Sequence, residues 1–177
     1  MKHIIKTSLT IMLFFLTVQF AVGQPKIKKT PPVAQTTIKN TPLGNQLKEI
    51  FANAPSGYKK LRFGKGEVKY SDTVYTSNLN IERSEECTII VGTNTRYHCV
   101  VTGFINGPEA TVLFNKWSKD ISDALGADFD VKRETRAENN TLSIYDIFTD
   151  TNHHKTITLK NFSYSGGNSI DIDIRVH

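Results

Sequence analysis

The fold is decided first by the stretch Asn106–Gly126, which reads NGPEATVLFNKWSKDISDALG. Its apolar residues recur at the helical period and form one stripe, while lysines and aspartates occupy the opposite side. The stripe consists of Ala110, Leu113, Phe114, Trp117, Ile121, Ala124 and Leu125. An Asn-Gly-Pro-Glu start signal and a terminal glycine bound the pattern. It predicts an amphipathic helix in which Trp117 is a core anchor rather than a ligand platform.

Another amphipathic helix is predicted near the start of the folded part. Thr41 is a capping residue, and Pro42 occupies the first helical position. Apolar side chains then share one face, at Leu43, Leu47, Ile50, Phe51 and Ala54. The turn residues 55–57, Pro-Ser-Gly, end this helix.

Four β-rich runs follow each predicted helix. They are 58–63, 68–81, 87–91 and 96–105 in the first half, and 129–136, 142–149, 155–163 and 169–176 in the second. The last run alternates isoleucine with charged residues, as a strand with one buried and one wet face does. Such alternation favours antiparallel pairing over a parallel sheet. The sequence therefore predicts a single α+β domain over 43–177, with two helices packed on an antiparallel sheet.

The order of one helix followed by strands occurs twice, which suggests a tandem pseudo-repeat. Overlaying the halves pairs Leu47 with Trp117, Phe51 with Ile121, Ala54 with Ala124, Tyr75 with Tyr145 and Phe104 with Ile174. These identities are too few to prove duplication. We expect one cooperative domain, because neither half alone would bury much of a core.

Residues 1–23 have the pattern of a secretory signal peptide. Lys2 and Lys6 give a basic start, Leu9–Val22 is nearly all apolar, and small residues precede Gln24. The apolar run is shorter than the ~20 residues of a membrane-spanning helix. An uncleaved N-terminal anchor is the alternative. The pattern predicts a secreted or periplasmic protein that meets the membrane only transiently, through this segment.

Residues 24–42 are predicted to be a flexible linker rich in proline and lysine. They contain four of the 6 prolines and no acidic residue, so they cannot bury enough apolar surface to offset the entropy of ordering. A signal peptide followed by a Lys/Pro/Thr tether resembles the start of small exported bacterial proteins.

The distribution of charge argues against a nucleic-acid-binding protein. The formal net charge is +5, but six of the 22 basic residues lie in 1–42, where there is no Asp or Glu. The remaining 16 basic residues accompany all 17 acidic ones. The folded part therefore lacks the basic excess that nucleic-acid binding requires.

Two cysteines, Cys87 and Cys99, fit an exported chain with one disulfide. Their midpoint falls in the turn-like tetrad Gly92–Thr95, between two β-rich runs. In an antiparallel hairpin with a three- or five-residue loop at that turn, the cysteines lie directly opposite each other on one face, whereas a two-residue loop would not give that register. Two buried free thiols are the alternative, and either interpretation makes the cysteines structural.

No established catalytic motif is present: the sequence lacks HExxH, GxSxG, a paired CxxC and a complete phosphate-binding glycine loop. We therefore expect no cofactor. A weak metal alternative is His153 with His154, near Asp146 and Asp150, because imidazoles and carboxylates ligate divalent ions. The few isolated histidines elsewhere make a full ligand set hard to assemble.

Asp171 and Asp173 share one face of the last predicted strand with Arg175. Paired carboxylates at that spacing could form an acid–base couple. Charged residues that alternate with isoleucines are, however, the ordinary pattern of a solvent-facing strand surface, and we favour that interpretation.

Tyrosines and basic residues are enriched in the first-half strands. The candidate binding residues are Tyr58, Arg62, Tyr70, Tyr75, Arg96 and Tyr97, with Lys59 and Lys60 beside them. Exposed tyrosine and arginine are frequent in interfaces. If one sheet face exposes them, that face would bind a partner.

Two functions follow as hypotheses. The first is an exported, non-catalytic binding or interaction module for an unidentified protein, peptide or glycan. The second is a small exported hydrolase that uses carboxylates or a His-bound metal. The absence of catalytic motifs favours the first.

Overall fold

The computed structural model describes residues 38–138, 141–152 and 154–177. The predicted signal peptide, 1–23, and linker residues 24–37 lie outside the described residues. Packing begins inside the range predicted as linker, because Ile38 is buried and the Lys39 N–H donates to the Ala124 carbonyl at 2.8 Å.

Helix α1 spans Pro42–Asn53. The Thr41 hydroxyl caps it by accepting a hydrogen bond from the Gly44 N–H at 3.0 Å, and proline occupies the first turn. Leu47, Ile50 and Phe51 are buried on its inner side, as the apolar spacing predicts.

Helix α2 spans Gly107–Leu125. The Asn106 side chain caps it by accepting from the Glu109 N–H at 2.9 Å, and Gly126 follows its last turn with a positive φ of 72°. The predicted stripe is buried at Ala110, Phe114, Trp117, Ile121, Ala124 and Leu125. Neither described helix combines the length and hydropathy that crossing a membrane requires.

All eight strands belong to one antiparallel sheet. Their bounds are β1 Arg62–Lys69, β2 Asp72–Ser77, β3 Glu86–Val91, β4 Arg96–Ile105, β5 Phe129–Glu138, β6 Thr141–Asp150, β7 Lys155–Tyr164 and β8 Gly167–Val176. Their order in the sheet is β1-β2-β3-β4-β8-β7-β6-β5. The predicted α+β class, with two helices on an antiparallel sheet, is confirmed.

The hydrophobic core lies between the helices and one face of the sheet. On β8 the isoleucines 170, 172 and 174 point into this core, so Asp171 and Asp173 lie on the opposite face. The same alternation places Ile157 and Leu159 of β7 against the helices. One face of the sheet is therefore covered, and the period-two pattern of the sequence decides which residues it holds.

The predicted bounds of the first two strands are wrong. Residues 58–61 form short turns, β1 begins at Arg62, and its hairpin turn lies at residues 70–71 rather than at the glycines 64–66. Gly64 adopts a positive φ of 73° inside β1, where the pairing with β2 shifts register. The glycines therefore mark a strand irregularity, which a sequence pattern does not distinguish from a turn.

Among the described residues, each half of the chain supplies one helix and four strands, and the halves meet at the β4–β8 pair. The residues that the overlay of the halves pairs do not all have the same burial. Phe104 is 79% exposed, whereas its counterpart Ile174 is fully buried. The structure does not confirm the pseudo-repeat, which remains a prediction.

Cys87 and Cys99 are directly opposite in the β3–β4 ladder and form a disulfide. Both are fully buried in the core. The pairing predicted from the position of the turn is confirmed.

Candidate functional site

The face of the sheet opposite the helices is the candidate site, and we call it the open face. Its central residues, in cross-strand order, are Thr76, Thr88, His98, Asp173 and Thr158, which lie in register across five strands. A neighbouring row contains Tyr145, Lys160 and Asp171. The face thus combines charged, hydroxyl and aromatic side chains.

Tyr58 and Tyr97 do not belong to this face, so the structure does not place these two candidate binding residues on an exposed surface. They are 1% and 0% exposed, with ring centroids 6.0 Å apart in the core. The Tyr58 hydroxyl donates to the Ile174 carbonyl, and the Tyr97 hydroxyl donates to the Leu79 carbonyl. Burial raises the pKa of both phenols to about 12. These tyrosines are structural.

Arg62 of β1 and Tyr75 of β2 contact each other within the first hairpin. The Arg62 guanidinium lies 4.7 Å from the centre of the Tyr75 ring and donates to the Gly57 carbonyl at 2.6 Å. Tyr75 pairs with Ile89, whose side chain lies in the core, so its ring lies on the covered face. Tyr70 is fully exposed at the β1–β2 turn, with a positive φ of 59°.

Of the six candidate binding residues, Arg96 lies within the central charged cluster. Its Nε is 3.3 Å from Oδ1 of Asp173. The structure therefore does not bring the predicted tyrosines and arginines together on one surface. Tyr97 could have been assigned to the core from the sequence, because it alternates with the disulfide-bonded Cys99 and so shares its face.

The described residues do not form the weakly predicted metal site at His153 and His154. His153 lies outside them, and the backbone N–H of His154 donates to Oδ1 of Asp150 at 2.7 Å. Asp146 is held by Arg133 in two hydrogen bonds of 2.7 Å. Within 38–138, 141–152 and 154–177, no three His, Cys, Asp or Glu residues are grouped to hold a metal ion.

His98 and Asp173 form the centre of the charged cluster. Nδ1 of His98 lies 3.1 Å from Oδ1 of Asp173. Burial acts to lower the pKa of His98, but the hydrogen bond and charge of Asp173 outweigh it, so the pKa is raised. Burial acts to raise the pKa of Asp173, but His98 and Arg96 hold it below its usual value. The two groups therefore stabilise each other's charged forms.

Asp171 behaves differently from Asp173, two residues away on the same strand. Burial raises the pKa of the Asp171 carboxyl, and the hydrogen bond from the Ser169 hydroxyl at 2.9 Å offsets this only in part. The two carboxyl groups of one strand face thus have pKa values shifted in opposite directions. Such a difference is typical of acid–base pairs, although ion-pair networks also produce it.

Aromatic rings gather at one end of the open face. The Phe162 and Tyr164 centroids are 5.9 Å apart, and Phe104 meets Tyr164 edge-on at 5.4 Å. Nζ of Lys160 lies 4.6 Å from the Phe162 centroid. This group is not among the predicted site residues, although Lys160, Phe162 and Tyr164 alternate along one strand and so share a face.

A cavity of about 400 Å³ adjoins these rings. Its lining includes Thr141, Ser143, Lys160, Phe162 and Tyr164. In the part of the chain that the structure describes, two buried side-chain atoms lack a hydrogen-bond partner, Oγ of Ser143 and Nε of Arg175. Both residues belong to the open face, because each alternates with residues of the core.

Comparison with protein-family models, curated proteins and solved structures found no match for this chain.

Proposed function

We propose that this protein is an exported, non-catalytic binding module whose partner contacts the open face. The observation that supports this most strongly is the difference between the two faces of the sheet. The helices cover one face, whereas the other carries an aromatic group, a charged cluster and the two unpartnered atoms of Ser143 and Arg175. Buried polar atoms are rarely left unpaired, so these two are consistent with a surface that a partner completes.

Export is part of the same proposal. The pattern of residues 1–23 is that of a secretory signal peptide, and a buried disulfide is typical of proteins from oxidising compartments. N-terminal sequencing of the protein recovered outside the cytosol tests this. A chain that begins at Gln24 supports export with cleavage, whereas an intact Met1 in the cytosolic fraction contradicts it.

We also propose that the two halves are related as a tandem pseudo-repeat. Their element order supports this, since each half consists of one helix followed by four strands. An ancestor of half the length, or a relative in which the halves are more alike, would provide the decisive comparison.

The binding function is tested with substitutions at the centre of the open face. Thr88→Lys and Thr158→Lys add bulk and charge beside His98 and Asp173, which lie opposite them in the ladder. Val112→Lys makes the same charge change at a residue of α2 that is 72% exposed. Each full-length variant is applied to immobilised polysaccharide and protein fractions of the producing organism's cell surface.

The expected result is concentration-dependent binding that both threonine variants abolish and Val112→Lys retains. Equal binding by all three variants would place the interaction elsewhere and contradict the proposal. Folding of each variant is checked by its unfolding transition.

The alternative is a hydrolase that uses Asp171 and Asp173. The observation that favours it is the opposite shift of their pKa values. Against it, Asp173 is already engaged by His98 and Arg96. Glycoside hydrolysis that disappears in both Asp171→Asn and Asp173→Asn would establish the enzyme, whereas no turnover by the unsubstituted protein would exclude this pair.

A further inference from the structure

We propose that the cavity beside Ser143, Lys160 and Phe162 binds a sugar ring, preferably one that bears a carboxylate. This inference rests on the proposed binding function and names the ligand class at one end of the open face. The cavity volume of about 400 Å³ lies within the range of small-molecule sites.

The first argument is the unpartnered hydroxyl of Ser143. The residue is 1% exposed and belongs to the cavity lining, and its buried Oγ has no hydrogen-bond partner. Leaving such a group unpaired is destabilising, because its hydrogen bonds to water are lost without replacement. A ligand hydroxyl can both donate to and accept from this oxygen, whereas an apolar ligand would leave it unsatisfied.

The second argument is the aromatic wall. Phe162 and Tyr164 line the cavity, and Phe104 packs edge-on against Tyr164. A sugar ring presents C–H groups on its faces and hydroxyls around its edge, so it suits a site that combines rings with a few polar groups.

Phe104 supports the same interpretation through its backbone. It has a positive φ of 60° and remains 79% exposed, while its N–H donates to the Tyr164 hydroxyl at 2.9 Å. A left-handed conformation at a bulky residue is strained, and such residues cluster at functional sites. The protein thus tolerates strain at a residue that orders Tyr164, a ring of the cavity wall.

The third argument is the charge of Lys160. Its ammonium group lies over the Phe162 ring at 4.6 Å and near the Tyr145 ring at 5.3 Å. Asp171 lies opposite Lys160 in the ladder and is attracted to it. The ammonium group at the cavity wall attracts a ligand carboxylate as well, so a uronate should bind more tightly than the corresponding neutral sugar.

A peptide added as an extra strand does not fit this position. The strands that carry most of the cavity, β6 and β7, are interior strands with neighbours on both sides. Their backbone groups are already paired, and strand addition requires an exposed sheet edge. Recognition here must therefore use side chains.

The test is NMR titration of the full-length, disulfide-bonded protein with D-glucuronate, D-galacturonate, D-glucose and D-galactose. Cyclohexanecarboxylate serves as a ring-shaped acid without hydroxyls. We expect at least one uronate to shift the amide signals of 141–145 and 160–164, with an affinity about tenfold higher than its neutral counterpart. Cyclohexanecarboxylate should produce much smaller shifts.

Ser143→Ala should weaken uronate binding about tenfold, which corresponds to one lost hydrogen bond. It should not unfold the protein, because it removes an unpartnered atom. Lys160→Gln should remove the preference for the uronate. Ser122→Ala, at an exposed serine on α2, is the matched control and should leave binding unchanged.

The inference is overturned if none of the four sugars shifts these signals, or if cyclohexanecarboxylate shifts them as much as glucuronate. It is also overturned if Ser143→Ala binds as tightly as the unsubstituted protein. The cell-surface binding assay is independent of this titration. If the protein binds the cell surface and Thr88→Lys does not, the binding function stands even when the sugar site fails.

Discussion

His98 and Asp173 are 75 positions apart in the chain, yet Nδ1 of the histidine lies 3.1 Å from Oδ1 of the aspartate. They are directly opposite in the β4–β8 ladder, where the first and second halves of the sheet meet. Their side chains are 23% and 27% exposed, so solvent screens the pair only in part. The pair therefore links the two halves electrostatically, and it does so on the open face.

The His98–Asp173 pair should make stability depend on pH. The pKa of folded His98 is raised, so its contribution is fully present below the unfolded value of about 6.5 and is lost as the pH rises through the raised pKa. The pKa of Asp173 is lowered in the folded state. The stability that the Asp173 carboxylate contributes is therefore lost only at acidic pH, as the pH falls through that lowered pKa. Urea unfolding should show that His98→Gln costs about 2 kcal/mol at pH 5 and clearly less at pH 9.

His177→Gln is the control for that measurement, because His177 is an exposed terminal residue. It should leave the free energy of unfolding unchanged at both pH values. If His98→Gln lowers the free energy of unfolding equally at pH 5 and pH 9, the charge of the imidazole does not contribute to stability.

Asp171→Asn should stabilise the protein at neutral pH. Because burial raises the pKa of this carboxyl in the folded state, ionisation opposes folding, and stability is lost as the pH rises through the raised value. Removing the charge should add about 0.5–1 kcal/mol to the free energy of unfolding at pH 7. The gain should vanish at pH 3, where the carboxyl is protonated in both states.

Asp130→Asn, at an exposed residue of β5, provides the comparison for Asp171→Asn. Thermal unfolding of both variants over this pH range is the measurement. A loss of stability in Asp171→Asn at pH 7 would mean that the Ser169 hydrogen bond and the attraction of the carboxylate to His98 and Lys160 outweigh its burial.

Reducing the Cys87–Cys99 disulfide should lower the free energy of unfolding by about 3 kcal/mol, because its closed loop restricts the unfolded chain. The fold should persist, since both sulfurs lie within an apolar core that the helices still cover. Urea unfolding with and without a reductant measures the difference. The Cys87→Ala/Cys99→Ala variant must be insensitive to the reductant, and a response from it would reveal an unrelated effect.

Arg133→Ala should destabilise the protein by about 2–3 kcal/mol, as expected when a charged hydrogen-bonded group loses its partner. The Asp146 side chain is 2% exposed and receives two hydrogen bonds from Arg133. The Arg133 guanidinium also lies 5.2 Å from the Phe114 ring of α2. The substitution therefore removes the charged partner of a buried carboxylate at the helix–sheet contact and leaves it only the hydrogen bond with Ser118.

Lys119→Ala removes a fully exposed ion pair with Asp123 on α2 and is the control for Arg133→Ala. Exposed pairs contribute little to stability, so its unfolding transition should move far less. Equal effects of the two substitutions would show that burial of Asp146 is unimportant.

Several features of the fold were predictable because they depend on neighbours in the sequence. Thr41 and Asn106 cap the helices, Trp117 lies in the buried stripe, and Cys87 pairs with Cys99 across a short hairpin. Each follows from a spacing of a few residues, at a helical or strand period. The β1–β2 hairpin was misplaced because Gly64 adopts a turn-like φ inside a strand.

The candidate site was less predictable. Alternation in β8 assigned Asp171 and Asp173 to the wet face, but nothing local indicated that His98 would face them. The tyrosines are candidates for a binding surface only if the sheet exposes them, and Tyr58 and Tyr97 instead fill the core with their hydroxyls bonded to carbonyl groups. Residue type predicts exposure poorly for side chains with an apolar body and a polar tip.

By itself, the sequence determined the two helices, the strands from β3 to β8 and one short covalent loop, because these arise from contacts close along the chain. Only the tertiary structure decided that β4 adjoins β8, that both helices cover the same face, and that Ser143, Lys160 and Phe162 border one cavity. Those arrangements depend on strands distant in sequence finding their register while burying a shared apolar face, which the hydrophobic effect rewards only once the whole sheet has assembled.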